Sequence, residues 1–464
     1  MTILTEERAR PDRVRAWPHA WKLAVATVCF GAFMGQLDAS IVTLTYRPVE
    51  RAFGTGLAGV QWVSLSYLVT LVALLAPLGR RSDQKGRKLS YLHGFVIFSF
   101  GSAACGLAPD LAILIAARVA QGAGAALLQA NSVAIVTSCA PRDKLRQALG
   151  VQAAAQAVGL ALGPTVGAVI VSTVGWRWVF ALNVPIGVIA VVAGLLFLPR
   201  TVARSPDSAP NIGSSLLVGS SAVAVLFAMS ALSGLRLPAW APLLVVAAAL
   251  AGVSWLIVHE RRSSDPLLIP VLSVPGMARG LLVALLTYLV LFGPLVLVPA
   301  VIEQRGISAM LAGLTLSALP AGFAVAATMA GGALPRHWGD GRRATVGASL
   351  AAISLGAALA VPLSPGWIAL VLGGLGLGLG VLAPANNASV MRSVPASAAA
   401  TAGGLLNMTR GLGTALGISV VTLASHDGGP RLAIAALLGA AVMCVLALLG
   451  SGPGRPSTHH DAGP

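Results

Sequence analysis

Three ionisable side chains lie inside long apolar stretches of this chain: Asp38, Arg118 and Arg410. An ionisable group at the middle of an apolar helix costs about 2.5–3.5 kcal/mol on insertion scales, so such groups are kept for function or for pairing. Asp38 lies two-thirds along the first apolar run, after Gly31-x-x-x-Gly35; no other carboxylate is comparably deep, and Glu303 sits at the end of its run. A lone carboxylate in such a site can take and release a proton, which makes Asp38 the natural coupling acid of a proton-driven carrier. The plainer reading is a structural Asp hydrogen-bonded to a neighbouring helix. Arg118 suits pairing with a carboxylate, holding an anionic group, or structure alone. Arg410 is read as close enough to the cytoplasmic end of its run to snorkel towards water, a structural role.

A second group of residues is packed into the turn Gly79–Lys88, read G-R-R-S-D-Q-K-G-R-K, in which Asp83 is the single acid. The turn separates two apolar runs of roughly twenty residues, the length that crosses a bilayer as a helix, and its Lys and Arg place it on the cytoplasmic side. Candidate cargo contacts are polar or aromatic groups within the runs: Gln61, Trp62, Tyr67, Gln121, Gln129, Asn131, Gln152 and Gln156, then Asn386, Asn387 and Asn407. Each alone is as well explained by a hydrogen bond between helices. Gly159-x-x-x-Gly163-Pro164-x-x-Gly167 lines one helix face with glycine, allowing close backbone approach, and Pro164 favours a kink. The stretch Gly373–Gly380 imitates a nucleotide loop but lacks the following Lys-Ser/Thr, so it reads as helix packing. Cys29, Cys105, Cys139 and Cys444 lie singly in apolar runs with no metal-ligand spacing.

The elements that must position these groups follow from composition. The chain has 464 residues, of which 56% are hydrophobic and 10% charged, with a mean hydropathy of +0.84. Soluble domains carry about 25% charged residues, so this is a polytopic helical membrane protein in contact with a lipid bilayer. The net charge of +16 does not point to nucleic acid, because the basic residues sit in short loops. Apolar runs fall at 22–46, 57–79, 89–108, 111–139, 147–174, 178–198, 212–234, 239–258, 278–301, 310–333, 344–362, 366–391, 401–424 and 431–450, fourteen in all. With the N-terminus inside, 23 of the 31 Lys and Arg fall in inside segments and 6 outside, which favours both termini cytoplasmic. No cleaved signal is expected.

Charged linkers at 199–211 and 259–277 bracket two of the runs, giving a six-plus-two-plus-six arrangement. The expected organisation is a tail at 1–21, a six-helix bundle at 22–198, a linker with two extra helices at 199–277, a second bundle at 278–450 and a tail at 451–464. Repeated bundles suit a carrier. The counterpart of Gly79–Lys88 in the second bundle is Gly332–Arg343, where Arg336 stands about where Asp83 would be; the second copy reads as degraded, lacking the matching acid.

Together these residues resemble the major facilitator superfamily, and within it the fourteen-helix drug:proton antiporters. Gly79, Asp83, Gly86, Arg87 and Lys88 match the loop signature G-x-L-a-D-R-x-G-R-K, with departures at Arg81 and Gln84. Leu37-Asp38-Ala39-Ser40-Ile41-Val42 is similar to the first-helix motif L-D-x-T-I-V, which breaks off at Thr43 and at Tyr46-Arg47-Pro48. Arg118-x-x-Gln121-Gly122-x-Gly124 matches the fourth-helix motif, and Gly159–Gly167 the fifth-helix antiporter motif. Asn183-x-Pro185-x-Gly187 is similar to the link into the sixth helix. The resemblance implies that Asp38 and Arg118 serve proton coupling and that Asp83 with its basic neighbours latches the bundles. An acid near a helix N-terminus is stabilised by the helix dipole.

The expectation is therefore a monomeric antiporter of the bacterial cytoplasmic membrane, driven by the proton gradient with no cofactor, that exports small amphipathic drug-like or antibiotic compounds. The alternative is a proton symporter that takes up a small metabolite. An enzyme would need clustered His, Cys or acids, and the seven His are scattered.

Overall fold

Long apolar runs leave the backbone only one way to satisfy its own N–H and C=O groups away from water, short of a closed barrel, and that is the helix. The computed structural model describes residue 7, residues 9–55, 57–201 and 241–450 with breaks at 264–265, 267, 304, 306–308, 336 and 396–397, and six positions between 217 and 224. Every regular element among them is helical. The long ones are α1 (Ala20–Ile41), α2 (Leu57–Lys85), α3 (Arg87–Leu107), α4 (Leu111–Cys139), α5 (Leu145–Thr173), α6 (Asn183–Phe197), α7 (Ala241–Arg262), α8 (Met277–Glu303), α9 (Ala309–Ala333), α10 (Asp340–Ala360), α11 (Pro365–Ser393) and α12 (Ala399–Leu449). Among the described residues, nine helices are long and apolar enough to cross a membrane.

Most boundaries fall where turn chemistry puts them. The break between α3 and α4 is marked in the sequence only by Pro109 and Asp110. It is real: Asp110 caps α4, its Oδ1 accepting from Ile113 N at 2.8 Å, the usual N-cap arrangement. Two runs differ from expectation. The first ends at Ile41 and passes through a 3-10 turn, Val42–Thr45, into a separate short helix, Tyr46–Phe53. The run at 178–198 is divided into Arg177–Ala181 and α6. The runs at 401–424 and 431–450 form two helices, together labelled α12, that meet at a kink at Gly429, whose φ of +74° suits glycine. The run at 212–234 and most of the linker at 199–211 lie outside the described residues, as does the tail at 451–464.

Two bundles form. In the first, α1 packs on α5, α2 on α4, and α3 on α4 and α6; in the second, α8 packs on α12, α9 on α11, and α10 on α11. The same pairing order recurs, as expected of repeats. The glycine-rich stretch of α11 is helical, with Gly376 and Gly380 against Leu319 and Phe323 of α9 and Gly378 against α10. The bundles meet along a seam in which α5 faces α9 and α11, and α12 faces α2 and α4. Of the insert, α7 turns Leu244, Leu250, Trp255 and Ile257 outwards. The basic turns gather at one end, where Arg80 Nη1 donates to Pro266 O and Arg392 Nη2 to Arg142 O; this is called the basic end below.

Candidate functional site

Asp38 and Arg118 are fully buried and bonded to each other. Arg118 Nη1 donates to Asp38 Oδ2 at 2.6 Å. The other carboxylate oxygen, Oδ1, accepts from Gln121 Nε2 at 2.9 Å and Asn183 Nδ2 at 3.1 Å. Arg118 also donates to Gln121 Oε1 at 2.6 Å and, through Nε, to Val63 O at 2.8 Å, and its guanidinium lies 4.2 Å from the Tyr67 ring centre. Gln121 Nε2 reaches Ser102 Oγ at 2.7 Å. Asp38 is therefore not the lone carboxylate the sequence suggested. Desolvating two charges is tolerable only when the pair and its remaining bonding positions are satisfied, and α1, α2, α3, α4 and α6 each supply a partner here. Asn183 and Ser102 carried no signal of their own as site residues, although Asn183 lies in a motif the sequence displays.

The glycine stripe of α5 lies directly on the helix that carries Asp38. A Cβ at Gly159 would come within 2.5 Å of Phe33 O, Gly163 faces Ser40 and Ile41, and Gly167 faces Ile41 and Leu44. The two backbones touch on both sides of Asp38, which fixes the depth of the acid. Helix α5 continues through Pro164 without interruption.

At the basic end, Asp83 lies on the last turn of α2 and reaches across the seam to the start of α12. Its Oδ1 accepts from Ala400 N at 2.9 Å, and Oδ2 from Thr401 N at 2.8 Å and Thr401 Oγ1 at 2.9 Å. Helix α12 begins after Ala398, which has no side chain to cap the exposed N–H groups; Asp83 supplies that cap from the other bundle. Arg87, one turn on, donates to Asp83 Oδ1 through Nε at 2.9 Å and Nη2 at 2.7 Å. Gly79 lets the backbones close, since a Cβ there would lie 2.6 Å from Ala400 O, and Gly86 makes the corner into α3 at φ +105°. Lys88 turns the other way: its Nζ donates to Leu195 O at 3.1 Å and Leu198 O at 2.8 Å, at the C-terminus of α6.

The corresponding turn of the second bundle does carry an acid, which corrects the reading of a degraded copy. Arg336 lies outside the described residues, and the acid is Asp340, the first residue of α10. Its carboxylate contacts Arg392 Nη1 at 2.5 Å and Arg146 Nη1 at 3.2 Å. Arg146 belongs to α5, so this contact also crosses the seam.

The cargo candidates are not gathered in one place. Tyr67 and Gln121 belong to the Asp38 site. Asn131 Nδ2 donates to Ser82 Oγ at 2.9 Å within the first bundle, and Trp62 points outwards. Asn386 bonds Gly280 O, Gln152 bonds Ser132 Oγ, and Asn387 is buried in α11. The side chain of Gln61 lies outside the described set. Among the described candidates, Gln156 and Asn407 bridge the seam, the first accepting from Tyr288 Oη at 3.4 Å and the second donating to Gln129 O at 2.5 Å. Arg410 corrects a second expectation. It does not snorkel: it is 5% exposed, lies eleven residues into α12, and donates to Asn407 Oδ1 at 2.7 Å.

Two repeated helical bundles with a buried ion pair and an acid-capped seam define a membrane transporter rather than an enzyme. Residues 28–418 match the model of the Major Facilitator Superfamily, and the chain belongs to that family. It is 30% identical over 399 residues to the riboflavin transporter RibZ of Clostridioides difficile, covering 85% of this chain and 86% of that one. It is also 30% identical over 409 residues to the multidrug resistance protein Stp of Mycobacterium tuberculosis, covering 86% and 75%. The crystal structure of the human organic anion transporter MFSD10 superposes with a TM-score of 0.68, over 92% of this chain and 99% of that one. At 18% identity, that likeness speaks for the fold alone.

Proposed function

We propose that this transporter is a proton-coupled antiporter that exports drug-like or antibiotic small molecules across the bacterial cytoplasmic membrane by alternating access, as a monomer with both termini inside. The observation that carries the reading is the buried Asp38–Arg118 pair at 2.6 Å. A proton accepted by Asp38 removes the charge that answers Arg118. Removing one partner of a buried pair costs about 3–5 kcal/mol, so protonation favours an arrangement in which Arg118 finds water or another partner. Proton occupancy and conformation are thereby tied together.

In this reading Asp83 holds the bundles shut at the basic, cytoplasmic end, and the glycine stripe of α5 keeps α1 in register while the seam opens. Export is favoured by the match of Gly159–Gly167 to the antiporter motif and by the likeness to Stp. The test begins with a drug-susceptibility panel in an efflux-deficient host, with and without a protonophore, to find a transported compound. In vesicles reconstituted with the protein, Asp38→Asn is then expected to abolish gradient-driven movement of that compound while still inserting. Full proton-driven transport by this variant sinks the assignment. Movement of the compound in the same direction as the proton replaces antiport with uptake by symport.

A further inference from the structure

Arg410 is a buried cation at the seam that no acid answers among the described residues. Its Nη1 holds Asn407 Oδ1, its guanidinium carbon lies 5.3 Å from the Tyr288 ring centre, and its Nε has no hydrogen-bond partner among the described residues. Both neighbours touch the first bundle: Asn407 donates to Gln129 O and Tyr288 to Gln156 Oε1. The segments packed around this point, residues 61–79, 111–139, 146–173, 277–302 and 399–426, contain no Asp or Glu.

The other buried cations are differently placed. Arg118 has Asp38 and Arg87 has Asp83. Lys88 and Arg343 sit on backbone carbonyls near helix ends, Arg343 on those of Leu334, Pro335 and Trp338. Arg410 alone of these five is in mid-helix without a carboxylate. Eleven residues from Ala399 is about 16 Å of helix, about half of a 30 Å hydrocarbon layer.

We propose that the cargo site is centred on Arg410 and takes organic anions: flat amphipathic molecules bearing a carboxylate or a similar delocalised oxyanion. This rests on the export reading above and narrows its cargo. A guanidinium carries five N–H donors, of which the described contacts use one, and its fork matches a carboxylate with two parallel bonds. The Tyr288 ring offers the apolar body an aromatic face, and the amides of Gln156 and Asn407 supply neutral hydrogen bonds. A site that must open to each side in turn belongs on the seam, where Arg410 lies; the amide and phenol bonds across it are the ones that parting bundles release.

Binding can be measured without a gradient, on purified protein in nanodiscs, by quenching of tryptophan fluorescence. The probes are 1-naphthoate and 2-naphthoxyacetate, each against its uncharged primary amide. The expected result is at least tenfold tighter binding of each carboxylate than of its amide, a preference erased in Arg410→Gln and kept in part by Arg410→Lys. Monodisperse elution of both variants establishes that they fold. Equal or weaker binding of the carboxylates, no saturable carboxylate binding, or a preference untouched by Arg410→Gln overturns the inference. None of these outcomes bears on proton coupling, which is decided by the Asp38→Asn vesicle measurement.

Discussion

The turns Gly79–Lys88 and Gly332–Arg343 occupy equivalent places in the two bundles, and each sends an acid across the seam, but to different kinds of partner. Asp83 is seated on backbone N–H groups at the start of α12 and is buried, 4% exposed. Asp340 is seated on two guanidinium side chains, one of which, Arg392, is 43% exposed. The first contact is made largely to main chain and is shielded from solvent. The second has a partly exposed partner and is more open to weakening by salt, whose screening length is about 10 Å at 0.1 M. Equivalent position has not produced equivalent physics; the decisive variable is whether the receiving group is main chain or side chain.

That difference can be broken in order of effect. Asp83→Ala leaves Ala400 and Thr401 with buried, unanswered N–H groups and Arg87 without its acid, a loss of about 3 kcal/mol or more. Alkylation of a cysteine placed at the buried seam residue Ala402, in a background without other cysteines, should accelerate at least a hundredfold. No acceleration would remove Asp83 from the closure of the seam. Lys88→Met should cost about 1–3 kcal/mol by orphaning the carbonyls at the end of α6. It should lower the melting temperature while leaving the labelling rate at position 402 nearly unchanged, because both its acceptors lie within the first bundle. Asp340→Asn should be the mildest, about 1 kcal/mol or less for a partly exposed pair, with less than a tenfold rise in labelling that shrinks further in 0.5 M salt. A salt-independent effect as large as that of Asp83→Ala would erase the distinction between the turns.

Much of this was legible in the order of residues. Apolar run length located the helices, because the backbone in a bilayer has so few alternatives. Asp38 and Arg118 stood out because a charge in an apolar context needs a reason, and Asp83 because it is the single acid of a basic turn. What escaped notice depends on partners distant along the chain. Nothing near Arg410 in sequence shows that Tyr288, 122 positions away, lies over it. Asp340 was passed over because counting from the start of the turn put Arg336 in its place. Aligning Gly341-Arg342-Arg343 with Gly86-Arg87-Lys88 brings the two acids within a few positions of each other, and that signal was available. The division of α12 into two helices was legible, and one glycine with positive φ, Gly429, makes the turn between them.

The way Asp83 is held has a consequence for the family record. The main-chain N–H groups that bind this carboxylate are ones that every residue except proline possesses, so position 400 is free to drift, while position 401 also contributes its hydroxyl. Across related sequences Asp83 should therefore covary with its side-chain partners at 87 and 401, while its bond to Ala400 N leaves no trace in correlated substitutions. Asp340, bound to two arginines, should leave a visible trace at positions 146 and 392. The main-chain half of the Asp83 contact is the part that coevolution would miss.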